Sequence, residues 1–155
     1  MNDVLFYHLT ETPLEATLPI LLRKSLDAGW RVEIRGGSVE RLDWLDQKLW
    51  LTGDADFLPH GLAGGAHDAL QPILLTTADA VSPATDCLMV VDGAGFDPAE
   101  MSGLKRACVM FDGSDDDAVQ KARGQWKSVT DAGLTAQYWA QDGGRWIKKT
   151  ESRPS

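Results

Sequence analysis

The stretch "ACVMFDGSDDDAVQKARGQWKSVTDAG", Ala107 to Gly133, decides the fold. It opens on an unbroken apolar run, the mark of a strand with neither face free to be polar. After Asp112-Gly113, Ser114 reads as a helix N-cap, and Asp115, Asp116 and Asp117 suit the positive end of a helix dipole. Val119, Ala122, Trp126 and Val129 then recur at helical spacing until Gly133 closes the segment. A doubly buried strand feeding directly into a helix is the repeating unit of a sheet layered with helices.

Working outward, "VLFYHL" (Val4 to Leu9), "RVEIR" (Arg31 to Arg35), "PILLTT" (Pro72 to Thr77) and "CLMVVDG" (Cys87 to Gly93) read as further strands. Leu14, Leu18, Leu21, Leu22 and Leu26 predict a helix closed by Gly29. Pro19 sets the start of regular helix at about Thr17, since an interior proline costs ~3 kcal/mol. Ser38 caps a second helix striped by Val39, Leu42, Leu45 and Leu49. A brief helix is expected near Pro98 to Leu104. "TAQYWAQDGGRWIKK" (Thr135 to Lys149) is two runs joined by a hairpin signal. The order is roughly β-α-β-α-β-β-α-β, an α/β sheet with helices on both faces. Residues 1–149 are expected to form a single domain and residues 150–155 a flexible tail.

A chain of 155 residues with 43% hydrophobic and 25% charged residues can bury a core without staples. Cys87 and Cys108 lie in apolar runs and read as small buried hydrophobes, which suits a reducing cytoplasm. No apolar run reaches the ~18 residues of a membrane span, and no basic region precedes the first one. The expected location is cytoplasmic. The net charge of −8 argues against broad nucleic-acid binding. Between Leu49 and Leu104 there are eight acids and no lysine or arginine, whereas nine basic residues follow from Lys105 onward. An acidic partner can therefore dock only on the C-terminal third.

No catalytic set assembles in the sequence. The first strand is followed by "HLTETPLEA", without the glycines of a dinucleotide loop, and no phosphate loop or nucleophile elbow occurs. No cofactor and no resident metal are expected. His60, His67 and Asp68 offer three ligand types on one loop, so a small metal-dependent hydrolase is the alternative reading. Trp146, in the basic "GGRWIKK", offers a ring for stacking on a base, a third reading that overall acidity disfavours.

The segments "LDQKLW" (Leu45 to Trp50), "FLPHGLAG" (Phe57 to Gly64), "QPILLT" (Gln71 to Thr76), "ARGQWK" (Ala122 to Lys127) and "YWAQDGGRW" (Tyr138 to Trp146), in that order, resemble the chi subunit family of bacterial DNA polymerase III holoenzyme. The resemblance implies a Rossmann-like, mostly parallel sheet with no nucleotide-binding motif, and a subunit without catalysis of its own. It implies a place in the clamp-loader complex beside a psi subunit or another component. It also implies a grip on the acidic C-terminal tail of single-stranded DNA-binding protein, which ends in aspartates, a proline and a phenylalanine. Contact with DNA would then be indirect.

The family's tail-binding cluster matches Arg123, Trp126 and Lys127. A further basic position used in some members is Val119 here, with Lys121 as a possible substitute that points elsewhere around the helix. Arg123 and Lys127, four apart, share one helical face. The stripe through Ala122, Trp126 and Val129 equally suits a core position for Trp126, with both cations as a solvated flank. Trp50 and Phe57 resemble a second partner interface, and they could equally cap the end of the sheet.

Overall fold

The computed structural model describes residues 3–50, 59–64, 68, 71–77, 81–82, 84–101 and 103–153. Strand β1 (Asp3–Leu9) leads through helix α1 (Leu14–Asp27) to β2 (Val32–Arg35) and α2 (Val39–Trp50). Two short strands follow, β3 (Gly61–Leu62) and β4 (Ile73–Thr76), then β5 (Cys87–Val90), the single-turn α3 (Pro98–Met101) and β6 (Arg106–Asp112). Helix α4 (Asp116–Asp131) and the hairpin β7 (Thr135–Asp142) and β8 (Arg145–Ser152) complete the chain. The strands form one sheet in the order β3-β4-β2-β5-β6-β1-β7-β8. Every pairing is parallel except β7 with β8. This is the Rossmann-like α/β architecture expected from the sequence.

Side chains alternate across the sheet, so β1, β5 and β6 each feed two cores. Leu5, Tyr7 and Leu9 of β1 join Leu14, Leu18 and Leu22 of α1 and Leu42, Leu45 and Leu49 of α2. Val4 and Phe6 join Met101 of α3 and Ala122 and Val129 of α4 on the opposite face. With both faces covered, β5 and β6 read as continuous apolar runs, whereas the buried Glu33 and Arg35 of β2 are paired with Arg31 and Glu100. Cys87 and Cys108 are buried free thiols on the α1 side. A hydrogen bond with Cys87, and then burial, push the Cys108 thiol well above its ordinary range.

Four local expectations are corrected. Helix α1 begins at Leu14, not near Thr17, and takes Pro19 into its interior. The Pro13 carbonyl accepts from the Ala16 and Thr17 amides at 3.1 and 3.2 Å, so the first turn is already helical. Burying Leu14, Leu18 and Leu22, at roughly 1.5–3 kcal/mol per side chain, offsets the proline's cost of ~3 kcal/mol.

The N-cap of α4 is Asp115, whose Oδ1 accepts from the Asp117 and Ala118 amides at 3.0 and 3.3 Å. Ser114 is taken instead by Asp112 Oδ1, which accepts from its amide and its hydroxyl at 2.9 and 2.7 Å. Within "FLPHGLAG", Gly61–Leu62 forms β3, a pairing that no periodicity in so short a run announces. At the far edge, β8 continues to Ser152 although the sequence reads Thr150 as the start of a tail. Strand β7 is long enough to template it, pairing Tyr138 with Thr150 and Ala136 with Ser152 across a bulge. Glu151 also holds both Lys148 and Arg153.

Candidate functional site

Helix α4 packs over the β1, β6 and β7 region. Between it and the strands lies a hollow of about 410 Å³, walled by Phe6 (β1), Phe111 (β6), Tyr138 (β7) and by Val119, Ala122, Arg123 and Trp126 of α4. Thr150 and Ser152 of β8 form its outer lip. Trp126 is half-buried and serves both core and wall: its ring meets Phe6 edge-on at 5.3 Å and Tyr138 at 6.1 Å. Trp126 thus combines packing against the core with a place on the wall of the hollow.

Tyr138 is held from behind. Its hydroxyl and His8 Nδ1 share a 2.5 Å hydrogen bond, and His8 stacks on Phe111 with ring centroids 5.0 Å apart. Burial raises the Tyr138 phenol pKa, and the nearby Arg123 charge only partly opposes this, so the wall stays neutral. Arg123 lines the hollow, is exposed, and makes no ion pair among the described residues. Lys127 lies one turn on and outside the lining, with Nζ 2.6 Å from Asp131 Oδ2. That pair is 76% and 64% exposed, so it contributes little and Lys127 can exchange partners. An apolar pocket with an uncommitted guanidinium at its edge suits an aromatic or aliphatic side chain next to a carboxylate.

Lys121 is not part of this hollow. It lines a separate crevice of about 810 Å³ at the carboxyl ends of β1, β5 and β6, where open α/β sheets take their ligands. Glu11, Asp92, Asp112, Asp115 and Asp117 border that crevice. Arg41 is tied to Asp92 through two hydrogen bonds of 3.2 and 3.0 Å. The Asp115 carboxylate occupies the first amides of α4, so a phosphate there would meet negative charge in place of donors.

At the opposite edge of the sheet, Trp50 ends α2 with 53% of its surface exposed, its ring 4.3 Å from His60. His60 is buried, with Nε2 3.2 Å from Asp46 Oδ1, and burial chiefly raises the Asp46 pKa. Asp68 accepts from the Gly64 amide at 2.9 Å, and its carbonyl accepts from Arg31. Phe57 and His67 lie outside the described residues. Among the described residues no three His, Cys, Asp or Glu side chains gather as metal ligands. Trp146 packs edge-on against Tyr7 at 5.0 Å on the α1 side of the sheet, away from the hollow. Among the described residues no helix is long and apolar enough to cross a membrane.

The family model for the DNA polymerase III chi subunit, HolC, matches residues 1–137. The chain belongs to the chi subunit family. Membership makes it an accessory component of DNA polymerase III in DNA replication. No curated protein matches the chain. The match takes in α4 with Arg123, Trp126 and Lys127, and it stops one residue short of Tyr138. The β8 lip of the hollow therefore lies beyond the segment that defines the chi family here.

Sequence reasoning missed Phe6, Phe111, Tyr138, Thr150 and Ser152 as lining residues. Aromatics on alternate positions of neighbouring strands were the available signal, but it becomes specific only once β1 is known to lie between β6 and β7.

Proposed function

We propose that this chi-family chain is a non-catalytic replisome adaptor whose hollow beneath α4 receives the acidic C-terminal tail of single-stranded DNA-binding protein. The terminal phenyl ring enters between Phe6, Trp126 and Tyr138. The terminal carboxylate faces Arg123, and Lys127 turns from Asp131 to a tail aspartate. Charge-assisted bonds of this kind contribute ~1.5–3 kcal/mol when shielded from water. The observation that carries the reading is the pairing of an aromatic-walled hollow with an uncommitted Arg123.

The surface around Trp50, with Phe57 seven residues further along the sequence, is the second interface, for a psi subunit or another clamp-loader component. An exposed tryptophan at a sheet edge is the residue type that anchors such contacts. Contact with DNA is indirect and the setting is the cytoplasm. Lys121 belongs to neither interface, because it lines the acidic crevice.

Calorimetry with a synthetic tail peptide, with and without its terminal phenylalanine, tests the reading. Binding should require that residue and should vanish in Arg123→Ala/Lys127→Ala while the circular dichroism spectrum is unchanged. Equal affinity for both peptides would refute it.

A further inference from the structure

The lip of the hollow belongs to β8, and β8 differs in charge from most of the molecule. Residues 145–153 contain Arg145, Lys148, Lys149 and Arg153 against one acid, Glu151, in a chain of net charge −8. Glu151 takes Lys148 and Arg153, so Arg145 and Lys149 make no ion pair among the described residues. Strand β8 ends the sheet, and among the described residues no further strand pairs with its outer edge.

The hairpin register sets which β8 side chains share the face of the hollow. Asp142 pairs with Arg145, Ala140 with Ile147, Tyr138 with Thr150 and Ala136 with Ser152. Alternation along β7 puts Asp142 and Ala140 on the same face as Tyr138, so Arg145 and Ile147 face the side that Thr150 and Ser152 line. Lys148 pairs with Trp139 on the other face, and Lys149 is the extra residue at the bulge. A strip of Thr150, the exposed Ile147 and Arg145 thus runs from the hollow along that face, with the exposed Lys149 at the bulge beside it.

We propose that this strip extends the tail site and holds the acidic residues upstream of the tail's terminus. The inference rests on the reading of the hollow given above. A chain seated with its last side chain between Trp126 and Tyr138 leaves over the Thr150 lip and travels parallel to β8 toward the hairpin turn. At about 3.3 Å per extended residue, some five residues reach from Thr150 to Arg145. Carboxylates along that course meet Lys149 and then Arg145, and an apolar residue among them meets Ile147. Lysines on an edge strand also discourage edge-to-edge aggregation, and the two roles make different predictions.

The test uses the full chain and fluorescence anisotropy with two peptides, one ending in aspartates, a proline and a phenylalanine, the other with serines in place of the aspartates. Arg145→Glu/Lys149→Glu should weaken the acidic peptide roughly three- to tenfold and leave the serine peptide unchanged. Arg145→Gln/Lys149→Gln, checked for an unaltered melting temperature, should show a smaller loss in the same direction. Undiminished affinity for the acidic peptide, with or without self-association of the variants, would overturn the strip, and so would equal loss for both peptides. If neither peptide binds the parent protein, the hollow reading fails and the extension falls with it.

Discussion

Tyr138 and His8 share a 2.5 Å hydrogen bond between the phenol and Nδ1, joining neighbouring strands β7 and β1 directly behind the hollow. The bond fixes the Tyr138 ring as a wall, and the stack of His8 on Phe111 passes that constraint to β6. Gly113 makes room for the arrangement: a β-carbon there would collide with the His8 ring and lie 2.9 Å from the Leu9 carbonyl oxygen. Tyr138→Phe should therefore cost about 0.5–1.5 kcal/mol and keep the fold. Gly113→Ala should cost more, roughly 1–3 kcal/mol, because the backbone cannot yield as a flexible side chain would. Urea denaturation of both variants checks the ranking, and a Gly113→Ala protein as stable as the parent would contradict the packing.

Arg123 and Lys127 share a helical face but should not contribute equally. Lys127 must leave Asp131, whereas Arg123 has no such competitor among the described residues. Arg123→Ala is expected to weaken tail-peptide binding more than Lys127→Ala. Asp131→Ala should strengthen it about two- to fivefold by freeing the ammonium, in line with the small worth of exposed pairs. Isothermal titration of the three variants at one salt concentration decides this.

Arg35 reaches Glu100 through two hydrogen bonds of 2.9 and 2.7 Å, clamping α3 onto β2. The hydrogen bond from Arg35, reinforced by the Asp97 amide, holds the Glu100 carboxyl below its ordinary value of 4.5. A depressed folded-state pKa means that the carboxylate's stabilisation is complete above that value and is lost as pH falls through the lower, folded one. Denaturation midpoints should thus be flat near neutrality and drop below about pH 4.5. Glu100→Gln should be less stable at neutral pH and show a shallower acid dependence. Identical acid profiles for the two proteins would exclude Glu100 as a contributor.

Both cysteines should resist labelling in the folded protein. Thiolate is the reactive form, and Cys108 is pushed away from it by its bond to Cys87 and by burial. An aromatic disulfide reagent should titrate none of the two thiols natively and both in denaturant. Rapid native labelling would show that the sheet opens locally.

Gln141 on β7 gathers the loop after β1. Its Oε1 accepts from the amides of Thr10, Glu11 and Thr12 at 3.0, 2.8 and 3.2 Å, and its Nε2 donates to Thr12 Oγ1 at 2.6 Å. Gln141→Ala should cost about 1–3 kcal/mol and speed amide exchange at residues 10–12 selectively. Unchanged exchange there would mean that water replaces the side chain without loss.

The amino-acid sequence alone determined the class of this protein, because hydrophobic period, glycine stops and the Asp-Gly-Gly turn act over a few residues and need no partner. It also set the charge division, with no lysine or arginine between Leu49 and Leu104 and nine basic residues from Lys105 onward. The tertiary structure decided which of the α4 side chains share a hollow. Lys121 lies two residues from Arg123, yet about half a turn of helix sends it to the opposite crevice. Phe6, Phe111, Tyr138 and Thr150 meet only because β1 inserts between β6 and β7 and the hairpin carries β8 to Ser152. Strand order and register are set by burial across the whole sheet, a free energy that no local window of residues contains.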